Sequence, residues 1–198
     1  MQNLFTVGYS GHDQRSFTSI LLASNIDVIC DVRSTPYSRY KPEFSRAPLK
    51  KILNDVGMKY VFLGGQLGAR PADRSCYVDG QATYQRIAKS EPFSAGLHRV
   101  RSGAKRLNLA LMCSESDPIE CHRAILVCRE LNDMHERICH IRGDGSVETQ
   151  AELDRRLLDL FKLTPPPLLS DAADWAKAVE QAYSKQGDAI AFREKYPN

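Results

Sequence analysis

Nothing in the 198 residues approaches the ~20 consecutive apolar positions needed to span a bilayer, so no membrane partner is expected. The opening MQNLFTVGYS lacks the basic start and small-residue cleavage site of a secretory signal, and a cytoplasmic protein is expected. No internal repeat and no low-complexity tract is present, which sets aside solenoid architectures. Excess charge is scarce as well: a net +3 identifies no partner by itself. The six cysteines include none of the tight C-x2-4-C pairs of structural zinc sites. Cys30, Cys113 and Cys139 instead fall in or at the end of apolar runs, and Cys128 falls in a helical stretch. With 42% hydrophobic and 26% charged residues the chain builds its own core, and reduced thiols are expected rather than disulfides.

What is present is alternation. Leu4–Val7, Asp27–Val32, Lys59–Leu63, Leu107–Met112 and Arg137–Ile141 are short apolar runs that read as strands buried on both faces. Between them lie helical patterns. Asp13 caps Gln14–Ala23, Pro48–Val56 closes at Gly57, and Ala82–Lys89 is followed by Pro92–Arg101 behind Ser90. Asp117, Pro118 and Glu120 form a capping box that predicts a helix carrying Cys121, His122 and Arg123 on its first exposed turns. Gly143-Asp144-Gly145 is a turn, and Thr149–Phe161 is amphipathic. The pattern predicts one α/β domain over residues 1–163, a three-layer parallel sheet of about five strands with helices on both faces. Thr164–Ser170 (TPPPLLS) breaks it. Residues 164–198 then form a Pro-rich linker and a helical C-terminal extension, Ala172–Tyr183 and Asp188–Lys195. No oligomeric state follows from the sequence.

Four polar clusters directly follow apolar strands: Gly8-Tyr9-Ser10-Gly11-His12, Asp31-Val32-Arg33, Gly64-Gly65 and Cys113-Ser114-Glu115. A parallel sheet brings all four to its carboxyl edge, where open α/β sheets bind ligands. Polar residues at one strand end are unremarkable; four such ends are harder to explain without a ligand. Tyr9, Ser10, His12, Asp31, Arg33, Gly64, Gly65, Cys121, His122 and Arg123 are therefore candidate binding residues, with Cys113 and Glu115 as candidate catalytic groups. Arg33 and Arg123 suit bidentate binding of phosphate or carboxylate, the plainer reading being an ion pair of Arg33 with Asp31. Cys113 is a nucleophile candidate, although Glu115 would raise its pKa, and small apolar filler is the bland alternative. Glu115 can act as acid or base, or simply pair with an arginine. A metal held by Cys113, Cys121 and His122, with or without His12 or His140, is not expected, because neighbouring helix positions point ~100° apart. No cofactor is named by the residues.

Between the second strand and the next helix, Arg33–Lys51 holds six basic residues against one acidic, Glu43, interleaved with Tyr37, Tyr40 and Phe44. The Arg39–Lys51 loop can grip nucleic acid by phosphate contacts and stacking, or close over the site as a solvated loop.

GYSGH at 8–12 with Phe17, DVRSTPYSRY at 31–40 with Phe44, LGG at 63–65, Tyr77, Tyr84, PF at 92–93 and MCSESDPIECHR at 112–123 together resemble domain-of-unknown-function family 488. The resemblance covers about residues 4–161 and implies a fold and a set of shared positions, the site residues above among them, but no reaction. A weaker likeness is to rhodanese-like domains, where D-V-R ends one strand and a cysteine that carries a persulfide ends a later one. Glu115 and Asp117 depart from the anion cradle such a loop needs. Three functions are thus expected in descending order: an enzyme binding a phosphate- or nucleotide-containing ligand, a sulfurtransferase using Cys113, and a non-catalytic nucleic-acid-binding module.

Overall fold

The computed structural model describes residues 3–166 and 170–194. Residues 167–169 of the Pro-rich break and Lys195 at the end of the last expected helix lie outside them.

Strand β1 (Leu4–Gly8) leads into helix α1 (Gln14–Ala23), whose Asp13 cap accepts from the Ser16 amide at 2.7 Å. Strand β2 (Val28–Asp31) is followed by the long basic loop and helix α2 (Arg46–Asp55). That helix starts two residues before Pro48, since proline is tolerated in a first turn. Strand β3 (Lys59–Phe62) runs into the short helical turn α3 (Gly64–Leu67). The stretch beyond it holds a small hairpin, β4 (Tyr77–Val78) and β5 (Gln81–Ala82), so that Ala82, expected to open a helix, ends a strand instead. Asp79 and Gly80 both take positive φ, 48° and 74°, as a two-residue hairpin turn requires. Helices α4 (Tyr84–Ala88) and α5 (Glu91–Ala104) lead to strand β6 (Leu109–Cys113).

The expected helix after β6 needs correction. Asp117 does cap, accepting from the Ile119 amide at 3.0 Å, but only a single tight turn, Pro118–Glu120. Cys121 is extended (φ −133°, ψ 136°), and a wide π-type helical stretch begins at Arg123 and runs to Cys128. Strand β7 (Ile138–Ile141) follows, then strand β8 (Val147–Thr149), helix α6 (Gln150–Leu160) and helix α7 (Ala172–Ile190).

The sheet order is β3-β2-β6-β1-β7-β8. Five strands are parallel and β8 returns antiparallel to β7, so the expected five-stranded sheet gains a sixth strand. The Gly143–Gly145 turn was legible; the three residues beyond it were too few to show alternation. β1, β2 and β6 are buried at every position because helices cover both faces. Phe17 and Leu21 of α1 with Leu49 and Leu53 of α2 pack one face. Phe93 and Val100 of α5, Ile125 of the wide turn and Leu157 of α6 pack the other. Helix α7 is one continuous helix rather than two, and it joins the second layer through Ala182 and Tyr183. The Tyr183 hydroxyl donates to Asp154 Oδ1 at 2.7 Å, and Gln186 Nε2 donates to the Ile119 carbonyl at 2.8 Å. Beyond α7 the chain lies along the hairpin, with the Ala82 amide donating to the Phe192 carbonyl at 2.8 Å. Among the described residues no helix is long and apolar enough to cross a membrane.

Candidate functional site

The chain leaves β1 and β2 toward the α1–α2 face and leaves β6, which lies between them, toward the other. Such divergence opens a crevice at the carboxyl ends of the strands. Register brings Gly8 beside Cys113 and Asp31 beside Met112. The Tyr9 amide donates to the Cys113 carbonyl at 3.2 Å and the Ser10 amide to the Ser114 carbonyl at 2.9 Å. A cavity of about 290 Å³ lies there, walled by Tyr9, Arg33, Tyr37, Tyr84, Cys113, Glu115 and His122, and by Arg70, Ile190 and Phe192.

Arg33 is fixed by its neighbours. Nε donates to Asp31 Oδ1 at 2.9 Å and Nη2 to Oδ2 at 2.7 Å, while the Tyr60 hydroxyl donates to the same Oδ2 at 2.7 Å. The guanidinium sits 5.1 Å from the centre of the Tyr9 ring, which stacks on Phe44 at 4.5 Å. Burial works against its charge, but the Asp31 fork outweighs burial and the pKa goes up. Burial and Asp31 likewise push the Tyr60 phenol up. Tyr9 is near enough to favour the cation, yet no well-formed hydrogen bond joins them, and among the described residues the buried Arg33 Nη1 donor has no partner. Gly64 permits this packing, since a Cβ there would stand 1.8 Å from the Arg33 carbonyl oxygen.

Next to Arg33 sits a thiol–imidazole–carboxylate group. His122 Nδ1 lies 3.8 Å from Cys113 Sγ and 3.9 Å from Cys121 Sγ. Cys121 Sγ donates to Glu115 Oε2 at 3.0 Å, and Ser114 Oγ donates to Glu115 Oε1 at 2.8 Å. The far ring nitrogen of His122 is 3.1 Å from the Val32 carbonyl, which can only accept. Nε2 therefore carries the proton, and in the neutral ring the Nδ1 lone pair faces the sulfurs. Burial opposes the Glu115 charge, but hydrogen bonds from Cys121, Cys113 and Ser114 prevail and bring its pKa down to about 2. Cys113 is pushed up by Cys121, by burial and by Glu115. Against its own burial, the hydrogen bond from Cys113 and the charge of Arg123 hold Cys121 down. The thiol facing the cavity is thus the one less inclined to ionise.

The three donor atoms of Cys113, Cys121 and His122 all lie within 4.8 Å of one another, as a divalent ion would require. The objection that neighbouring helical positions diverge does not apply, because Cys121 is extended and only His122 is helical (φ −57°, ψ −24°). His12 and His140 lie elsewhere. His12 is buried against Phe17, its Nε2 without a partner among the described residues and its pKa lowered by burial and Lys41. His140 Nδ1 is 2.9 Å from Thr6 Oγ1.

Arg123 does not line the cavity. Fully buried, it donates from Nη1 to the Glu115 carbonyl at 2.5 Å, from Nη2 to the Ser116 carbonyl at 3.1 Å and from Nε to Thr6 Oγ1 at 3.3 Å. It holds the loop in place instead of reaching a ligand. Gly8 lets that loop approach: a Cβ there would stand 1.7 Å from the Glu115 carbonyl oxygen. Ser10 and Gly65 are exposed, and neither lines the cavity. Asp31 reaches the cavity only through Arg33. Of the unanticipated wall residues, Tyr37, Arg70 and Tyr84 stand in the aromatic and basic stretches of the sequence. Ile190 and Phe192 carried no sequence signal. In the Arg39–Lys51 loop, Tyr40 is 90% exposed and Lys41 Nζ donates to the His12 carbonyl.

No curated protein and no solved structure matches the chain. One family model does, over residues 13–129, from the α1 cap through Cys121, His122 and Arg123, and stops well before α7. With more than half its length matched, the chain belongs to the family described as domain of unknown function DUF488.

Proposed function

We propose that the chain is an enzyme whose cavity binds a small phosphorylated or carboxylated ligand, a mononucleotide included, by that ligand's oxyanion. The observation that carries this reading is Arg33, a buried cation in the cavity wall whose Nη1 donor has no partner among the described residues. An unmet buried donor costs about 1–3 kcal/mol, which a ligand oxygen would recover. Asp31 and Tyr60 fix the guanidinium so that little entropy is lost on binding. Exposed Arg70, held 4.3 Å from the Phe192 ring centre, offers a second cation at the mouth. A volume of about 290 Å³ sits at the small end of small-molecule sites and suits a mononucleotide or smaller, not a dinucleotide. Glu115 faces the same space and, as a carboxylate, would accept a hydrogen bond from a ligand hydroxyl, amine or water.

Calorimetric titration with inorganic phosphate, a ribonucleoside monophosphate and citrate tests the reading. At least one should bind, and Arg33→Gln should weaken it about tenfold or more, in line with ~1.5–3 kcal/mol for a charged hydrogen bond. Equal affinity in the variant, or no binding to the unaltered chain, overturns it.

A second reading is nucleic-acid binding through the Arg39–Lys51 loop, supported by Tyr37 and Tyr40, 64% and 90% exposed, with Arg39 over the Tyr40 ring at 5.9 Å. Its mark would be affinity for single-stranded RNA that falls steeply with salt. Sulfur transfer has less support, because Cys113 is the thiol pushed up, and the carbonyls of Glu115 and Ser116 turn toward Arg123.

A further inference from the structure

We infer that Cys113, Cys121 and His122 hold one zinc ion, with a fourth position open toward the cavity. A tetrahedral ion with Zn–S near 2.3 Å and Zn–N near 2.0–2.1 Å places nitrogen and sulfur about 3.6 Å apart. The two observed separations, 3.8 and 3.9 Å, are within a few tenths of that value. Nothing has to turn over to admit the ion, because the lone pair of a neutral His122 already faces both sulfurs. The Val32 carbonyl sets that tautomer through Nε2, the arrangement that metal-bound histidines usually have.

The donor set selects the metal. Two thiolates and an imidazole are soft to borderline ligands that favour zinc over magnesium or calcium. On binding, each thiol gives its proton to solvent, so that two thiolates balance the two positive charges. That balance offsets burial of the trio, while Cys121 gives up its hydrogen bond to Glu115, which keeps the one from Ser114. Three protein ligands rather than four is the pattern of catalytic zinc. Cys113 and His122 both line the cavity, and Glu115 stands beside them. A zinc-bound water would therefore lie beside a carboxylate able to accept its hydrogen bond. Cys113, which lines the cavity, becomes a ligand and not a nucleophile.

The inference goes beyond the oxyanion reading and is tested separately from it. The full chain, purified without a histidine tag and without chelator, is assayed for metal by mass spectrometry, then stripped and titrated with cobalt(II) under reducing conditions. One zinc per chain is expected, and cobalt should give a thiolate charge-transfer band with the strong visible bands of a tetrahedral site. Cys113→Ser, Cys121→Ser and His122→Ala should each lower zinc affinity more than about 100-fold, beyond the 10–100-fold that loss of a supporting residue costs. Cys128→Ser and Arg33→Gln should leave it unchanged. Should the three variants fail to fold, the cobalt spectrum of the unaltered chain decides alone. A chain that takes up no zinc or cobalt, or that isolates with a Cys113–Cys121 disulfide in place of metal, overturns the assignment.

Discussion

Replacing Gly8 with alanine adds one methyl group at the point where β1 meets the loop after β6. Its Cβ would stand 1.7 Å from the Glu115 carbonyl oxygen, 2.5 Å from that carbonyl carbon and 2.8 Å from Ser116 Cα. All three partners are backbone, so no side chain can swing aside. Reaching an ordinary contact of ~3.5 Å requires the carbonyl oxygen to retreat by roughly 1.8 Å. That movement breaks the 2.5 Å bond from Arg123 Nη1 and leaves a buried guanidinium donor unmet. Overpacking of this kind costs about 1–3 kcal/mol and the lost charged bond about 1.5–3 kcal/mol. A total near 3–5 kcal/mol corresponds to a fall of about 6–20 °C in Tm for a chain of this size. Gly65→Ala is the control: nothing lies within 4 Å of its added Cβ, and within a helical turn alanine should be neutral or stabilising. Thermal unfolding followed by circular dichroism reads both. A Gly8→Ala chain that melts within about 2 °C of the unaltered one, or a Gly65→Ala chain that falls as far, would contradict this packing.

His140 should make the fold acid-sensitive. Burial, then the charge of Arg123, pushes its pKa down to about 3 from 6.5, against the raising effect of the Gln150 hydrogen bond. Below pH 6.5 the unfolded chain takes up a proton that the native chain refuses. Stability is thus complete above that pH and falls toward pH 3, by about 1.4 kcal/mol per pH step from this group alone. Urea unfolding at pH 7 and pH 5 should show a smaller difference in His140→Asn than in the unaltered chain, and an equal difference would contradict the assignment. Phe192→Ala removes a cavity wall and the ring under Arg70, while the residue itself is only half-buried. Affinity for the probe that binds best should drop several-fold, with stability changing by about 1 kcal/mol; unchanged affinity would show that the segment beyond α7 does not shape the site.

The sheet was legible because its central strands are continuous apolar runs, and a parallel sheet leaves its polar residues at one end. Gly8 and Gly64 were visible as strand-end glycines, although only coordinates separate them from Gly65, whose surroundings are open. The geometry at Cys121 was not legible. Asp117, Pro118 and Glu120 specify the start of a helical turn and say nothing about its length, so a one-turn stop followed by an extended residue looks the same in sequence as a full helix. That one residue decides whether Cys121 and His122 diverge or meet. Arg123 posed a similar ambiguity, since a guanidinium beside a polar loop can grip a ligand or the loop itself; here its three donors go to the loop and to Thr6. Ile190 and Phe192 reach the site by a non-local contact between the chain end and the β4–β5 hairpin, for which no local pattern exists.

The most direct test is to follow the Arg33 guanidinium itself by nitrogen-15 NMR while inorganic phosphate or a ribonucleoside monophosphate is added. The Nη1 protons should shift saturably and become protected, with Nε–H, already engaged by Asp31, moving little. Arg33 signals that stay fixed at saturating concentrations of every oxyanion that binds the chain would place the ligand elsewhere and refute the site.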